Sequence, residues 1–419
     1  MRFRIPKWFV ASLPLWVYVI LFKAGASLYY TALSPLGERV FPLWAVGLFI
    51  GGASLLQLAL DVPAGFLLDR YGYRPFLKAS SLILAVGGLL LLLFGLQPWV
   101  YVLLILLSGF GWLFFGPGVD AYVLSTAPKA HAGRYIGMRR STSSFGMVVA
   151  MGYFAFLVAR PDWLLGAVII LNLAGSLIAA QALRPEPASV HAEQKVETHH
   201  YYIRRVYLRE TLNALRRLNP ASTMLACSRF CAATFFGLLW LVLPLYLSEL
   251  TTPGLLGLGL SVFDVTTVFT GGLFGRIADT DRKRLAIFLG LLLFAACSVL
   301  LGFHLNAWFL VLGFLAATGD DLSNVSLWAW MNRLNRTHAH DGVIASVVTF
   351  FEDLGWVIGP ILGGLLYEAL GISWTIVIGS GFVCLSWMVG SVLLYRHRAR
   401  SFHGAEEPSH PPRWLAHKE

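Results

Sequence analysis

The sequence predicts an all-α integral membrane protein: twelve transmembrane helices in two parallel-repeat six-helix bundles, with both termini cytoplasmic. Composition, the distribution of basic residues and an internal repeat predict it. Apolar residues make up 57% of the 419 and charged residues 13%, against roughly 45–50% and about 25% in soluble domains. A spanning helix needs about 20 mostly apolar residues. A dozen such runs are present, near 9–32, 41–66, 76–95, 98–124, 138–159, 163–183, 222–248, 254–276, 285–304, 307–331, 343–367 and 373–395.

Of the 32 Lys and Arg residues, all but Lys23, Arg39, Arg160 and Arg229 fall in or within about three residues of the N-terminus, the even-numbered connections or the C-terminus. That bias is what the positive-inside rule gives when both termini are cytoplasmic. The net charge of +10 is therefore a topology signal, and nucleic acid is not an expected partner. The repeat is visible in several places. Gly65-Phe-Leu-Leu-Asp69 recurs as Gly275-Arg-Ile-Ala-Asp279 at an offset of 210, and His131-Ala-Gly133 recurs as His340-Asp-Gly342 at 209. Gly146 recurs as Gly355, again at 209. A constant offset of half the chain implies duplication, and an even number of spans per copy gives both copies the same orientation.

Taken in order, residues 1–183 form the expected N-terminal bundle. The apolar run behind Met1–Lys7 is too long for a cleaved signal core and is read as helix 1. Residues 184–221 form a cytoplasmic linker. Its first part is rich in Pro, Glu and His. Its second part, Tyr201–Asn219, sets Ile203, Val206 and Leu215 among Arg204, Arg205, Arg209 and Arg216, the pattern of an amphipathic helix on the inner leaflet or against the protein's own loops. Residues 222–395 form the C-terminal bundle and 396–419 a cytoplasmic tail. Cys227, Cys231, Cys297 and Cys384 all lie in apolar runs, so disulfides are not expected. The linker histidines His191, His199 and His200 read as a solvated segment, and neither a metal nor a cofactor is expected.

Between runs 2 and 3 stands Gly65-Phe-Leu-Leu-Asp69-Arg70-Tyr-Gly72-Tyr-Arg74-Pro-Phe-Leu77. It resembles, nearly position for position, the loop signature of the major facilitator superfamily, Gly-x-Leu-x-Asp-Arg-x-Gly-x-Arg-x-x-Leu. With the twelve runs, the resemblance covers essentially the whole chain and implies that superfamily's fold. Gly65 admits a close helix approach, Gly72 permits the turn, and Asp69 can meet Arg70, Arg74 or a helix N-terminus. The resemblance implies a cytoplasmic latch made of Asp61, Gly65, Asp69, Arg70, Gly72, Arg74 and Asp120, and, in the degraded second copy, Gly275, Asp279 and Arg282. Drug–proton antiporters of the superfamily carry Gly-x-x-x-Gly-Pro-x-x-Gly-Gly in helix 5. Here that run stands in helix 11, as Gly355, Gly359, Pro360, Gly363 and Gly364, where a Gly-Pro kink suits a bending gate helix.

Ionisable residues lie inside the runs: Lys23, Asp61, Asp120, Arg229, Asp264, Asp320, Asp321, Glu352 and Asp353. None falls in the interior of runs 3, 6, 9 or 12, the set the resemblance implies to be lipid-facing. Each charge at mid-bilayer costs roughly 2.5–3.5 kcal/mol, so Asp264, Asp320, Asp321, Glu352 and Asp353 must be paired, wet or protonated. They are the expected proton-coupling or substrate groups, with Lys23 and Arg229 as their partners. Adjacent helical residues point about 100° apart, so one of Asp320/Asp321 and one of Glu352/Asp353 is expected to face the cavity. The expected function is transport, not catalysis: proton-coupled export of a small organic compound, amphipathic or cationic, by a monomer in the inner or plasma membrane. Its partners are the substrate, protons and membrane lipid. Proton-coupled nutrient uptake, or a non-transporting receptor or scaffold on the same fold, are the alternatives.

Overall fold

The computed structural model describes residues 12–126, 132–183, 220–250, 253–278, 280, 283–303, 308–334 and 341–402. All regular structure among them is helical: α1 (Leu13–Glu38), α2 (Leu43–Tyr71), α3 (Tyr73–Phe94), α4 (Pro98–Thr126), α5 (Ala132–Leu157) and α6 (Asp162–Gln181), then α7 (Pro220–Leu250), α8 (Pro253–Ala278), α9 (Lys283–Phe303), α10 (Phe309–Leu334) and α11 (Asp341–Phe402). Sequences apolar on every face favour this, because in lipid only an α-helix or a closed barrel satisfies every backbone group internally.

The sequence predicts two runs where the structure has the 62-residue α11, and the difference is one residue. Gly371 leaves helical geometry at φ 74°, ψ 177°, a conformation only glycine takes without strain. It divides α11 into a first arm, 341–370, and a second arm, 372–402. Gly72 does the same work between α2 and α3, at φ 85°. Among the described residues, eight stretches are long and apolar enough to cross a membrane, and one of them, Val348–Tyr395, has 48 residues, about twice what one crossing needs. Helices α5, α8 and α10 do not qualify over their full length. Two of these carry paired charges, Arg139 and Arg140 on α5 and Asp320 and Asp321 on α10, while the described part of α8, Leu256–Thr270, is apolar but shorter than a crossing. The expected amphipathic helix at 201–219 lies outside the described residues.

The helices pack in two groups with one plan. In the first, α3 lies against α4 and α6, α1 against α5 and α6, and α2 against α4. In the second, α9 lies against α10 and α11, α7 against α11, and α8 against α10. The repeat reaches atomic detail. A Cβ on Gly146 of α5 would meet Ile20 O at 2.6 Å and Lys23 Cβ at 2.7 Å on α1. A Cβ on Gly355 of α11 would meet Phe230 O at 2.5 Å and Ala233 Cβ at 2.7 Å on α7. These partners are themselves 210 residues apart. Small residues thus let paired backbones touch, which is how helices associate where lipid removes the hydrophobic drive.

Three seams join the groups: α2 with the first arm of α11, α5 with α8, and α1 with α7. In the last, the Ser34 hydroxyl donates to Leu241 O. One exposed pair closes the rim of the first group. Arg39 donates from Nη1 and Nη2 to Asp162 at 2.7 and 3.0 Å, which gives an exceptional basic residue of the odd-numbered connections its partner. Because this pair is exposed, Arg39→Ala is expected to cost less than about 1 kcal/mol and to leave the apparent Tm within a few degrees, checked by thermal unfolding in detergent.

Candidate functional site

A cavity of about 280 Å3 lies between the two groups. Its walls take Lys23 and Tyr30 from α1, Trp112 from α4, Trp240 from α7, and Asp353 and Trp356 from α11. Ser27 and Thr31 of α1, Ser54 and Gln57 of α2, and Met147 and Met151 of α5 complete it.

Lys23 is placed from below by packing. Because Gly146 lacks a side chain, α5 runs directly over the Lys23 turn of α1. The ammonium then sits 4.2 Å from the centroid of the Trp112 ring and 5.4 Å from that of Phe115, within cation–π range. The rings beneath form a stack: Phe22 on Phe115 at 3.9 Å between centroids, with Trp112 edge-on to Phe115 at 5.8 Å. Lys23 also interacts electrostatically with Asp264 of α8 across the seam.

On the α11 wall, the Asp353 carboxyl interacts directly with that of Asp61 on α2. This contact crosses from one helix group to the other. Asp61 Oδ1 is buried without a hydrogen-bond partner.

One residue away, Glu352 turns to a second cluster. Arg229 of α7 donates from Nε to Glu352 Oε2 at 3.1 Å and from Nη2 to Oε1, while its Nη1 lies 3.8 Å from Asp320 Oδ2. Asp321 instead accepts from the Thr267 hydroxyl of α8 at 2.6 Å. Arg140 of α5 acts electrostatically on both Asp320 and Asp321. The adjacent acids therefore divide their tasks: Asp320 and Glu352 hold Arg229, Asp321 binds α8, and Asp353 faces the cavity.

Of the latch residues, Gly72 caps α2, and Arg74 Nη2 donates to Gln181 O at the end of α6 at 3.1 Å. Gly65, Asp69 and Arg70 fall on α2, Asp120 on α4 and Gly275 on α8; Asp279 and Arg282 lie outside the described residues. In α11, Gly355, Gly359 and Gly363 face α7, whereas Gly364 faces Leu43 and Trp44 of α2. The Pro360 carbonyl occupies the place a Cβ on Gly47 would take. Sequence reasoning missed Arg140, Gln57, Thr267 and Trp356. Arg140 reads as a loop-end charge, and its depth is visible only once α5 is seen beside α10's acids.

Comparison with known proteins gives three findings. The sequence profile of the Major Facilitator Superfamily matches residues 9–223 and 225–417. The multidrug resistance protein MdtH of Yersinia enterocolitica is 30% identical over 138 residues, 32% of this chain and 34% of that protein. MdtH of Klebsiella pneumoniae is 29% identical over 109 residues, 25% and 27% of the two chains. The match thus spans about a third or less of these relatives. Among solved structures, the human organic anion transporter MFSD10 (TETRAN) superposes with a TM-score of 0.69 over 92% of this chain and 100% of that one, at 14% identity. That likeness is one of fold.

Proposed function

The chain belongs to the Major Facilitator Superfamily, a multi-pass membrane transporter, and from that premise we propose proton-coupled export of a small organic compound by alternating access. Twelve spans, cytoplasmic termini and bundles at 1–183 and 222–395 belong to the same reading. Export draws support from the local similarity to multidrug resistance proteins.

One feature carries the proton coupling: the acids Asp61 of α2 and Asp353 of α11 meet across the two helix groups, and Asp353 lines the cavity between them. An ionised carboxylate only accepts hydrogen bonds. Two carboxyls that meet are therefore held together only while they share a proton, and losing it sets two like charges against each other across the seam. Proton loss at this pair thus pushes α2 from α11, and proton uptake rejoins them. Because Asp353 lines the cavity, the same group senses substrate. The wider charge balance agrees. Among the described residues, the acids Asp61, Asp264, Asp320, Asp321, Glu352 and Asp353 gather around the bases Lys23, Arg140 and Arg229, and bound protons would relieve the repulsion between the acids.

The test uses purified protein in liposomes with an imposed pH gradient and a panel of fluorescent aromatic compounds, cationic, anionic and zwitterionic. Wild type is expected to move at least one of them when the gradient has one polarity, and Asp61→Asn or Asp353→Asn to lower gradient-driven flux at least tenfold. Flux in both variants equal to wild type would remove the pair from coupling. No flux in wild type under either polarity would overturn export of such compounds.

A further inference from the structure

We propose that the cavity selects zwitterionic aromatic molecules, compounds with one cationic and one anionic group on an aromatic frame. This rests on the reading above that the cavity is the substrate site. Its two charged walls have opposite sign. On one, the Lys23 ammonium is fixed over the Trp112 ring at 4.2 Å. On the other stands the carboxyl of Asp353, with Asp61 beside it. The lining also carries the aromatic rings of Tyr30, Trp240 and Trp356.

A molecule carrying only positive charge would pair with Asp353 but face Lys23, and the Trp112 face that would attract it already holds an ammonium. A molecule carrying only negative charge would pair with Lys23 but face Asp353. Either leaves a like-charge contact in a site of low dielectric, the repulsive element by which a site rejects a ligand. A zwitterion answers both walls. Its carboxylate draws Lys23 from Asp264 on α8, and its ammonium displaces the proton at Asp353. It also adds no net charge to a compartment where each charge costs kilocalories. A volume of about 280 Å3 lies just below the usual range for ligand cavities, so a single bicyclic ring with short arms fits it better than a large drug.

The experiment measures equilibrium binding to the full chain in lipid nanodiscs at neutral pH, without a gradient. Three tritiated indoles of nearly one size serve as probes: L-tryptophan (zwitterion), tryptamine (cation) and indole-3-propionate (anion). L-Tryptophan is expected to bind at least tenfold tighter than either. Lys23→Met is expected to erase its advantage over tryptamine, Lys23→Arg to retain it, and Asp353→Asn to erase its advantage over indole-3-propionate. Thermal unfolding of each variant confirms that it is folded, and Lys23→Arg keeps the test informative should Lys23→Met not fold. Tryptamine or indole-3-propionate binding as tightly as L-tryptophan to wild type overturns the proposal, as does the absence of binding by all three at millimolar concentration. Proton-driven flux is read separately. A lost preference with intact flux sinks only the zwitterion assignment, whereas an intact preference without flux sinks only the transport reading.

Discussion

Arg229→Leu is expected to destabilise the protein more than any other single change at a charged residue, by about 3–5 kcal/mol. The side chain binds Glu352 through two nitrogens and approaches Asp320 with a third. These three side chains retain 15%, 29% and 13% of their exposure, so none is well hydrated. Removing the guanidinium leaves two carboxylates beside Asp321 without their cation, and breaking a buried pair costs far more than the intact pair contributes. Arg229→Lys keeps the charge but not the two-nitrogen fork to Glu352, and is expected to fall between wild type and Arg229→Leu. In Arg229→Leu/Glu352→Gln one orphaned charge is gone, so the double variant is expected to be more stable than Arg229→Leu alone. Such a departure from additivity is the mark of direct coupling. Apparent Tm in detergent and recovery of monodisperse protein by gel filtration read the series. A loss below about 1 kcal/mol for Arg229→Leu, or additive losses in the double variant, would mean that the ion pair does not hold α7, α10 and α11 together.

The fold was legible because lipid imposes few solutions on an apolar chain. Run length, basic-residue bias and a 210-residue offset all register at the level of whole helices, and the paired packing of Gly146 on α1 and Gly355 on α7 shows that the offset survives in contacts. The break between the last two predicted runs came from Gly371, which takes a left-handed φ that a periodicity reading does not see. Side-chain pairing was far less legible. That ionisable residues lay inside the membrane was plain from the sequence, but not that Asp61 meets Asp353 some 290 positions away, nor that Lys23 rests on Trp112. Those pairings depend on which helices cross and at what depth, and spacing along one helix carries no such information. Arg140 illustrates the limit: one position beyond Arg139 at the end of a run, it reads as a topology charge, yet it acts on Asp320 and Asp321.

Gly364→Ala is expected to shift the balance between the two alternating-access states toward the one in which α2 and α11 part. An added Cβ would stand 2.6 Å from Leu43 O and 3.1 Å from Trp44 Cα. Both are backbone atoms that cannot rotate away, at the end of the molecule holding the α1–α2 connection. Across the seam, Gly47 makes the reciprocal close approach to the Pro360 carbonyl. Overpacking of this kind costs about 1–3 kcal/mol. Because the clash exists only while the seam is closed, the cost falls on one state, which changes the population ratio about 5- to 150-fold. Gly52 supplies the control, since a Cβ there meets nothing within 4 Å; Gly52→Ala is expected to leave the ratio unchanged and to add up to about 1 kcal/mol of helix stability. Spin labels at Trp163 and Trp374, exposed positions at the starts of α6 and of the second arm of α11, report the separation of the two groups by pulsed dipolar spectroscopy. A longer-distance population in Gly364→Ala and not in Gly52→Ala is the expected result. Should Gly364→Ala lower the Tm with no change in the distance distribution, the glycine seam would be a static packing contact, and the gate would have to be sought in α5 and α8.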